Sequence, residues 1–169
     1  MIYLESPSTD PYFNLAMEEY IFSRLDQSKQ YFMLWQNDNT IVVGKYQNTA
    51  EEINQQFVEE HGIKVARRLS GGGAVYHDKG NLNFTFIVDQ RDISDFNFEV
   101  FVIPVIKALQ RIGVHAEFNG RNDITIDGKK FSGNSQYTKH GRILHHGCIM
   151  LDSNLTNVSD ALNVKDAKF

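Results

Sequence analysis

The dipeptide Asp127-Gly128, set between the short strand-like runs at 123–126 and 129–133, restricts this chain more than any other local feature. Asp-Gly suits a two-residue type I′ turn, in which both central residues take positive φ, and such a loop leaves the flanking strands one register. Ile126 then opposes Lys129, Thr125 opposes Lys130 and Ile124 opposes Phe131. Strand alternation puts Ile124, Ile126 and Phe131 on the core side and Asp123, Thr125 and Lys130 on the other. A carboxylate and an ammonium thus share one surface of a sheet. Lys129 goes with the apolar set, where its stem lies along the edge while its charge reaches water. Two readings of Lys130 stand at this point. It is the solvent-facing residue of a two-sided strand, or, with Asp123 and the following Ser132-Gly133-Asn134, part of a site.

Other strand-like runs fall at 31–36, 40–45, 64–69, 73–77 and 81–88, followed by "VHAEF" and "RILHHGCIML" near the C-terminus. Asp10-Pro11 reads as an N-cap and first helical position, and Leu15, Met17, Ile21, Phe22 and Leu25 share one half of the helix that follows. Further helices are expected at about 49–61 and 98–112, the latter with a kink or a late start at Pro104. Hairpins outnumber strand–helix alternations, so the fold class is α+β: a largely antiparallel or mixed sheet flanked by helices. No repeat, low-complexity tract or linker divides the chain, and 1–169 reads as one unit.

Composition narrows the function classes. With 41% hydrophobic and 22% charged residues over 169 positions, the chain can bury roughly 70% of its unfolded surface as one domain. A net charge of −4 argues against a nucleic-acid-wrapping partner. The N-terminus lacks the pattern of a signal peptide and no apolar run is long enough to span a bilayer, so no membrane is implied and a cytoplasmic location is expected. A single cysteine, Cys148, excludes an internal disulfide.

The stretch "RRLSGGGAVYHDKGN", 67–81, sets Gly71-Gly72-Gly73 between two strands. Consecutive glycines can hold backbone conformations closed to other residues and leave amide N–H groups pointing outward, an anion-binding concavity, and Arg67 and Arg68 put guanidinium groups beside it. A glycine-rich hairpin turn with solvated arginines is the plainer alternative. Neither phosphate fingerprint fits: Gly44-Lys45 is followed by Tyr46, not Ser or Thr, and the triple glycine lacks the last glycine of a dinucleotide loop.

In order and spacing, "RRLSGGGAVYHDKGNLNFTFI", "GRNDITIDGKKFSGNSQY" and "HHGCIML" resemble the signature stretches of the lipoate-protein ligase A family, and "DPYFNLAMEEY" and "VVGKYQN" resemble its N-terminal part. The resemblance covers nearly the whole chain. It implies a fold similar to the catalytic core of biotin and lipoate protein ligases and class II aminoacyl-tRNA synthetases. It also implies a reaction: lipoate and ATP give lipoyl-AMP and pyrophosphate, and a lysine of a lipoyl domain then displaces AMP. By the family's pattern Arg68 and the backbone of Gly73, Ala74, Val75 and Tyr76 line the ATP or adenylate site, with Asn122 contacting the adenylate. Lys130 is the implied catalytic residue, bridging the lipoyl carbonyl and the phosphate, while Asp123 holds Mg²⁺ or orients Lys130. Arg68, Ser70, Gly71, Gly72, His77, Lys130 and His146 are the implied lipoate-binding set, and Asn81 is a lesser candidate. Apolar residues near "FTFI" and "VVG" would shape the slot for the dithiolane tail. Implied partners are lipoyl domains of 2-oxoacid dehydrogenase complexes or the glycine cleavage H protein.

Two departures from the family pattern stand out. Members commonly continue through an adenylate-covering loop and a small C-terminal accessory domain, which 1–169 lacks, so the chain is expected to be a fragment or to work with a separate accessory chain. Cys148 stands where a threonine is more usual after "HHG". Related octanoyl transferases use a cysteine nucleophile, which Cys148 could be near His145 and His146; a small buried apolar residue is the alternative. Three readings follow: a lipoate-activating ligase core, an octanoyl or lipoyl transferase using Cys148, and a fragment that binds lipoate or its adenylate without turnover.

Overall fold

The computed structural model describes residues 1–92, 98–120 and 122–163. Strands β1 (Ile2–Glu5), β2 (Tyr31–Trp35), β6 (Asn81–Asp89), β7 (Glu117–Phe118), β8 (Asp123–Ile126), β9 (Lys129–Lys139) and β10 (Arg142–Met150) form a seven-stranded sheet in the order β1-β2-β6-β10-β9-β8-β7. Strands β3 (Thr40–Val43), β4 (Lys64–Arg67) and β5 (Val75–His77) form a second sheet in the order β4-β3-β5. The β1/β2 and β3/β4 pairs are parallel and the rest antiparallel. Both sheets, with the helices that flank them, make the expected α+β class.

Strand β6 shows how the core divides. Its alternate residues Phe84, Phe86 and Val88 pack with Phe101, Val102, Val105 and Leu109 of helix α4 (Glu99–Arg111), whereas Ile87, on the opposite face, joins Ile21 and Phe22 of helix α1 (Pro11–Ser23). A third cluster, Ile41, Val43, Tyr76 and Val58 among it, joins the small sheet to α3 (Gln55–Glu60), to α5 (Leu155–Ala161) and to Ile53, which follows the short helix α2 (Thr49–Glu52). The face of β6 turned toward α1 also carries Asn83 and Thr85, and it is this polar part that the site uses.

The Asp10 carboxylate accepts from Tyr12 N at 3.0 Å, the N-cap expected from Asp10-Pro11. Helix α4 runs through Pro104 from Glu99, so the late start is excluded. The single helix expected at 49–61 is two short ones, because Ile53 leaves helical conformation to bridge Leu162 and the Asn54 side chain caps α3 through Phe57 N. Strand β1, paired only along one edge, and α5 had no expectation in the sequence. Asp127 and Gly128 have φ of 50° and 73°, as a type I′ turn requires, and Ile126–Lys129 and Thr125–Lys130 pair as expected. One residue further the register shifts: Ile124 pairs with Ser132, not Phe131, across a β-bulge. Phe131 still packs on the α4 core with Ile124 and Ile126, as expected, and beyond it the strand continues in a new phase.

Two buried histidines make folding sensitive to acid. His145 lies between Phe84 and Phe101, whose ring centroids are 6.3 and 4.5 Å away, and hydrogen-bonds Gln136 and Asn134. Burial pushes His145 and His77 down to about 3. An unfolded histidine titrates near 6.5, so the unfolded state takes up protons first. Stability is complete above pH 6.5 and should fall below it by about 1.4 kcal/mol per pH unit for each histidine. Denaturant titrations at pH 7.5, 6.5 and 5.5 check this; an unchanged unfolding free energy over that window would mean that neither ring is neutral and buried in solution.

Candidate active site

A cavity of about 220 Å³ lies between the two sheets, with Trp35, Asn83, His146 and Cys148 on the large-sheet side and Val42, Arg68, Gly72, Gly73, Ala74, Val75 and His77 on the other. Strand alternation sends the two arginines apart. The Arg67 guanidinium holds the turn at 44–49, donating to Gly44 O at 2.8 Å, Gln47 O at 3.0 Å and Thr49 Oγ1 at 2.7 Å. This corrects the expectation that both guanidiniums flank the glycine loop. Arg68 alone does so, donating through Nη2 to Gly71 O at 2.8 Å and Gly73 O at 2.7 Å and through Nη1 to Val42 O at 3.1 Å. Burial lowers Arg68 to about 10, which leaves it cationic at neutral pH.

Those carbonyl contacts orient the loop amides. In a planar trans peptide the N–H points opposite to the C=O, so with Gly71 and Gly73 carbonyls turned to Arg68, the N–H groups of Gly72 and Ala74 face away from it. Among the described residues neither N–H has a hydrogen-bond partner, and both residues line the cavity. Gly72 makes the bend at φ +93°. Gly44 presses on it from below: a Cβ there would run into the Gly72 carbonyl oxygen. The glycine run is thus a braced, N–H-lined concavity of the kind that binds anions.

Across the cavity, Lys130 Nζ lies 2.8 Å from Asp123 Oδ1, close but off the axis of a directed hydrogen bond. The Lys130 side chain is about half exposed and borders the cavity with Asn122, whose carbonyl accepts from both Asn134 N and Nδ2 at 2.9 Å. Of the other residues singled out in the sequence, His146 and His77 reach the cavity wall, whereas Ser70, Gly71, Tyr76 and Asp123 stand behind it. The Tyr76 side chain packs in the small-sheet core, with its hydroxyl on Asn39 at 3.0 Å. Asn81 is buried and donates to Asn83 Oδ1.

Beneath the wall runs a buried polar chain. Trp35 Nε1 donates to Thr85 Oγ1 at 2.9 Å, Thr85 donates to Glu18 Oε1 at 2.6 Å, His146 Nδ1 lies 2.9 Å from the same oxygen, and His146 Nε2 lies 2.5 Å from Ser70 Oγ, which also accepts from Arg68 Nε at 3.2 Å. The sequence reading missed Glu18, Trp35, Thr85, Asn83 and Ser135. One signal was present: Glu18 occupies the buried stripe of α1 with Asn14, Ile21 and Phe22, where a carboxylate is out of place unless it has partners. Burial pushes the Cys148 thiol up, and both neighbouring histidines are engaged elsewhere. Among the described residues no group of three His, Cys, Asp or Glu side chains could hold a metal ion, and no helix is long and apolar enough to cross a membrane.

Comparison with known proteins gives this arrangement relatives. The chain is 52% identical to lipoate-protein ligase LplJ of Bacillus subtilis over 99% of its own length and 51% of that protein's; it spans about half the length of the curated relatives it matches. Among solved structures, a bi-partite lipoate protein ligase from Thermoplasma acidophilum, described with its E2 lipoyl domain, superposes with a TM-score of 0.86 at 30% identity over 99% of this chain and 67% of that one. A lipoate-protein ligase A bound with ATP gives 0.83 at 27% identity over 97% and 71%. The family profile described as the lipoyl protein ligase A/B catalytic domain matches residues 10–169, and the chain belongs to that family.

Proposed function

We propose that residues 1–169 form the catalytic core of a lipoate-protein ligase, which activates lipoate with ATP to lipoyl-AMP and passes the acyl group to a lysine of a lipoyl domain. The observation that carries this reading is the pair of unpartnered loop N–H groups, held by buried Arg68, on one wall of a cavity whose opposite side presents Lys130. For a carboxylate to attack the α-phosphate of ATP, two anions must approach. Fixed N–H dipoles and a cation in a partly enclosed cavity lower that repulsion without reorganising. Lys130 would bear on the acyl oxygen and the phosphate together, and the ion pair supports Asp123 as its orienting partner. Asp123, a carboxylate beside Lys130, would also suit Mg²⁺ shared with substrate phosphates. Lipoyl domains of 2-oxoacid dehydrogenases or the glycine cleavage H protein are the proposed acceptors, in the cytoplasm, and the half-length match supports covering elements supplied by further sequence or a separate chain.

Lipoate-dependent exchange of label between pyrophosphate and ATP tests the reading, and its absence with and without an accessory chain would sink it. The transferase alternative makes a different demand, since it needs Cys148 as a thiolate. Burial works against that form. Cys148→Ala should keep exchange within about threefold of wild type, and Cys148 should react with iodoacetamide at pH 7.5 more slowly than a free thiol. ATP-independent acyl transfer that disappears in Cys148→Ala would favour the transferase instead.

A further inference from the structure

Asn83 carries an unmet hydrogen-bond donor inside the cavity. It is 2% exposed and lines the cavity wall. Its Oδ1 accepts from Asn81 Nδ2 at 3.0 Å, while its own Nδ2 is buried with no partner among the described residues. Buried amides are nearly always paired, and leaving one unpaired is costly. The neighbours do not supply an acceptor. Asn83 lies in one cross-strand row between Trp35 and Cys148; the Trp35 indole N–H is a donor already spent on Thr85, and a thiol is a weak acceptor. The missing acceptor must therefore come from whatever fills the cavity.

We infer that Asn83 is a substrate-binding residue of the acyl subsite, its Nδ2–H donating to a carboxyl oxygen of the bound acid, the atom that becomes the acyl carbonyl oxygen on activation. This rests on the ligase reading. In lipoate the carboxyl group holds the strong acceptors, and the remainder is hydrocarbon and sulfur, which gain from the apolar walls rather than from an amide. The carboxyl carbon is then held on the Asn83–Cys148 row, on the side of the cavity bordered by Lys130. A site with a committed donor rejects ligands that lack the acceptor, because the donor is left buried and unpaired. Asn83 thereby selects for the carboxyl end and sets the direction in which the acid enters.

Calorimetric titration of lipoate into wild type, Asn83→Leu and Asn83→Asp tests the assignment, alongside an analogue with a methyl group in place of the carboxyl. Asn83→Leu should weaken lipoate by about 10- to 100-fold, the loss expected for a hydrogen bond to a charged group, while the methyl analogue, which leaves the wild-type donor unpaired, should bind Asn83→Leu at least as tightly as wild type. Asn83→Asp retains the acceptor for Asn81 and replaces the donor with an oxygen, which when ionised repels the carboxylate of the acid, so at pH 8 it should weaken lipoate at least as much; it decides the matter if Asn83→Leu does not fold. Equal lipoate affinity in wild type and the folded variants would overturn the assignment and show that water satisfies the amide. Failure of wild type to bind lipoate would instead overturn the ligase reading, and this assignment with it.

Discussion

Lys130→Ala should lower lipoate-dependent adenylate formation by about 10²- to 10³-fold, the typical loss for one preorganised charge-stabilising group, while Lys129→Ala leaves it nearly intact. The two lysines are adjacent in sequence and differ in parity. Lys130 pairs with Thr125 and turns to Asp123 and the cavity, whereas Lys129 pairs with Ile126 next to the turn. Because the Lys130–Asp123 pair is half exposed on the lysine side, its loss should cost at most about 1 kcal/mol of stability. A large activity loss with a small change in melting temperature is thus the expected signature. Pyrophosphate exchange and thermal denaturation of both variants measure it; equal losses at the two lysines would reject the role assigned to Lys130.

The second large effect is expected at Gly72. A valine there meets two obstacles: φ of +93°, which L side chains rarely adopt, and a Cβ only 3.0 Å from Arg68 Nη2. The backbone must turn or the guanidinium must shift, and either change scatters the N–H groups of the concavity. Gly72→Val should lower affinity for a non-hydrolysable lipoyl-AMP analogue by about 10²-fold or more, with a stability loss of about 1 to 3 kcal/mol for one strained residue. Gly113→Val separates strain from function, since Gly113 has φ +85° with nothing within 4 Å of its Cβ position. It should lose similar stability and bind the analogue normally. Unchanged affinity in a folded Gly72→Val protein would return the loop to a plain turn.

The parts of this architecture that could be read in the sequence are those that depend on a few neighbouring residues. The Asp127-Gly128 turn, the first two pairs of its register, the Asp10 cap and the bend at the glycine run each follow from local φ/ψ preference or from a side chain that reaches its own backbone. The set of candidate side chains around Arg68 and Lys130 came from motif resemblance, which names residues but does not say how they are aimed. Their aim depended on packing. The bulge gives Ile124 the partner Ser132 in place of Phe131, a change of phase that strand alternation does not signal. Arg67 and Arg68 look equivalent in sequence, but the small sheet sends one to the turn at 44–49 and the other under the glycine loop. The junction of Glu18, Ser70, Thr85 and His146 draws on four separate elements, including residues 128 positions apart. Local preference fixes turns and caps because their partners are covalently near; the polar floor of the cavity exists only after both sheets and α1 close, since a buried carboxylate, imidazole and hydroxyl are tolerable only when each completes the others' hydrogen bonds.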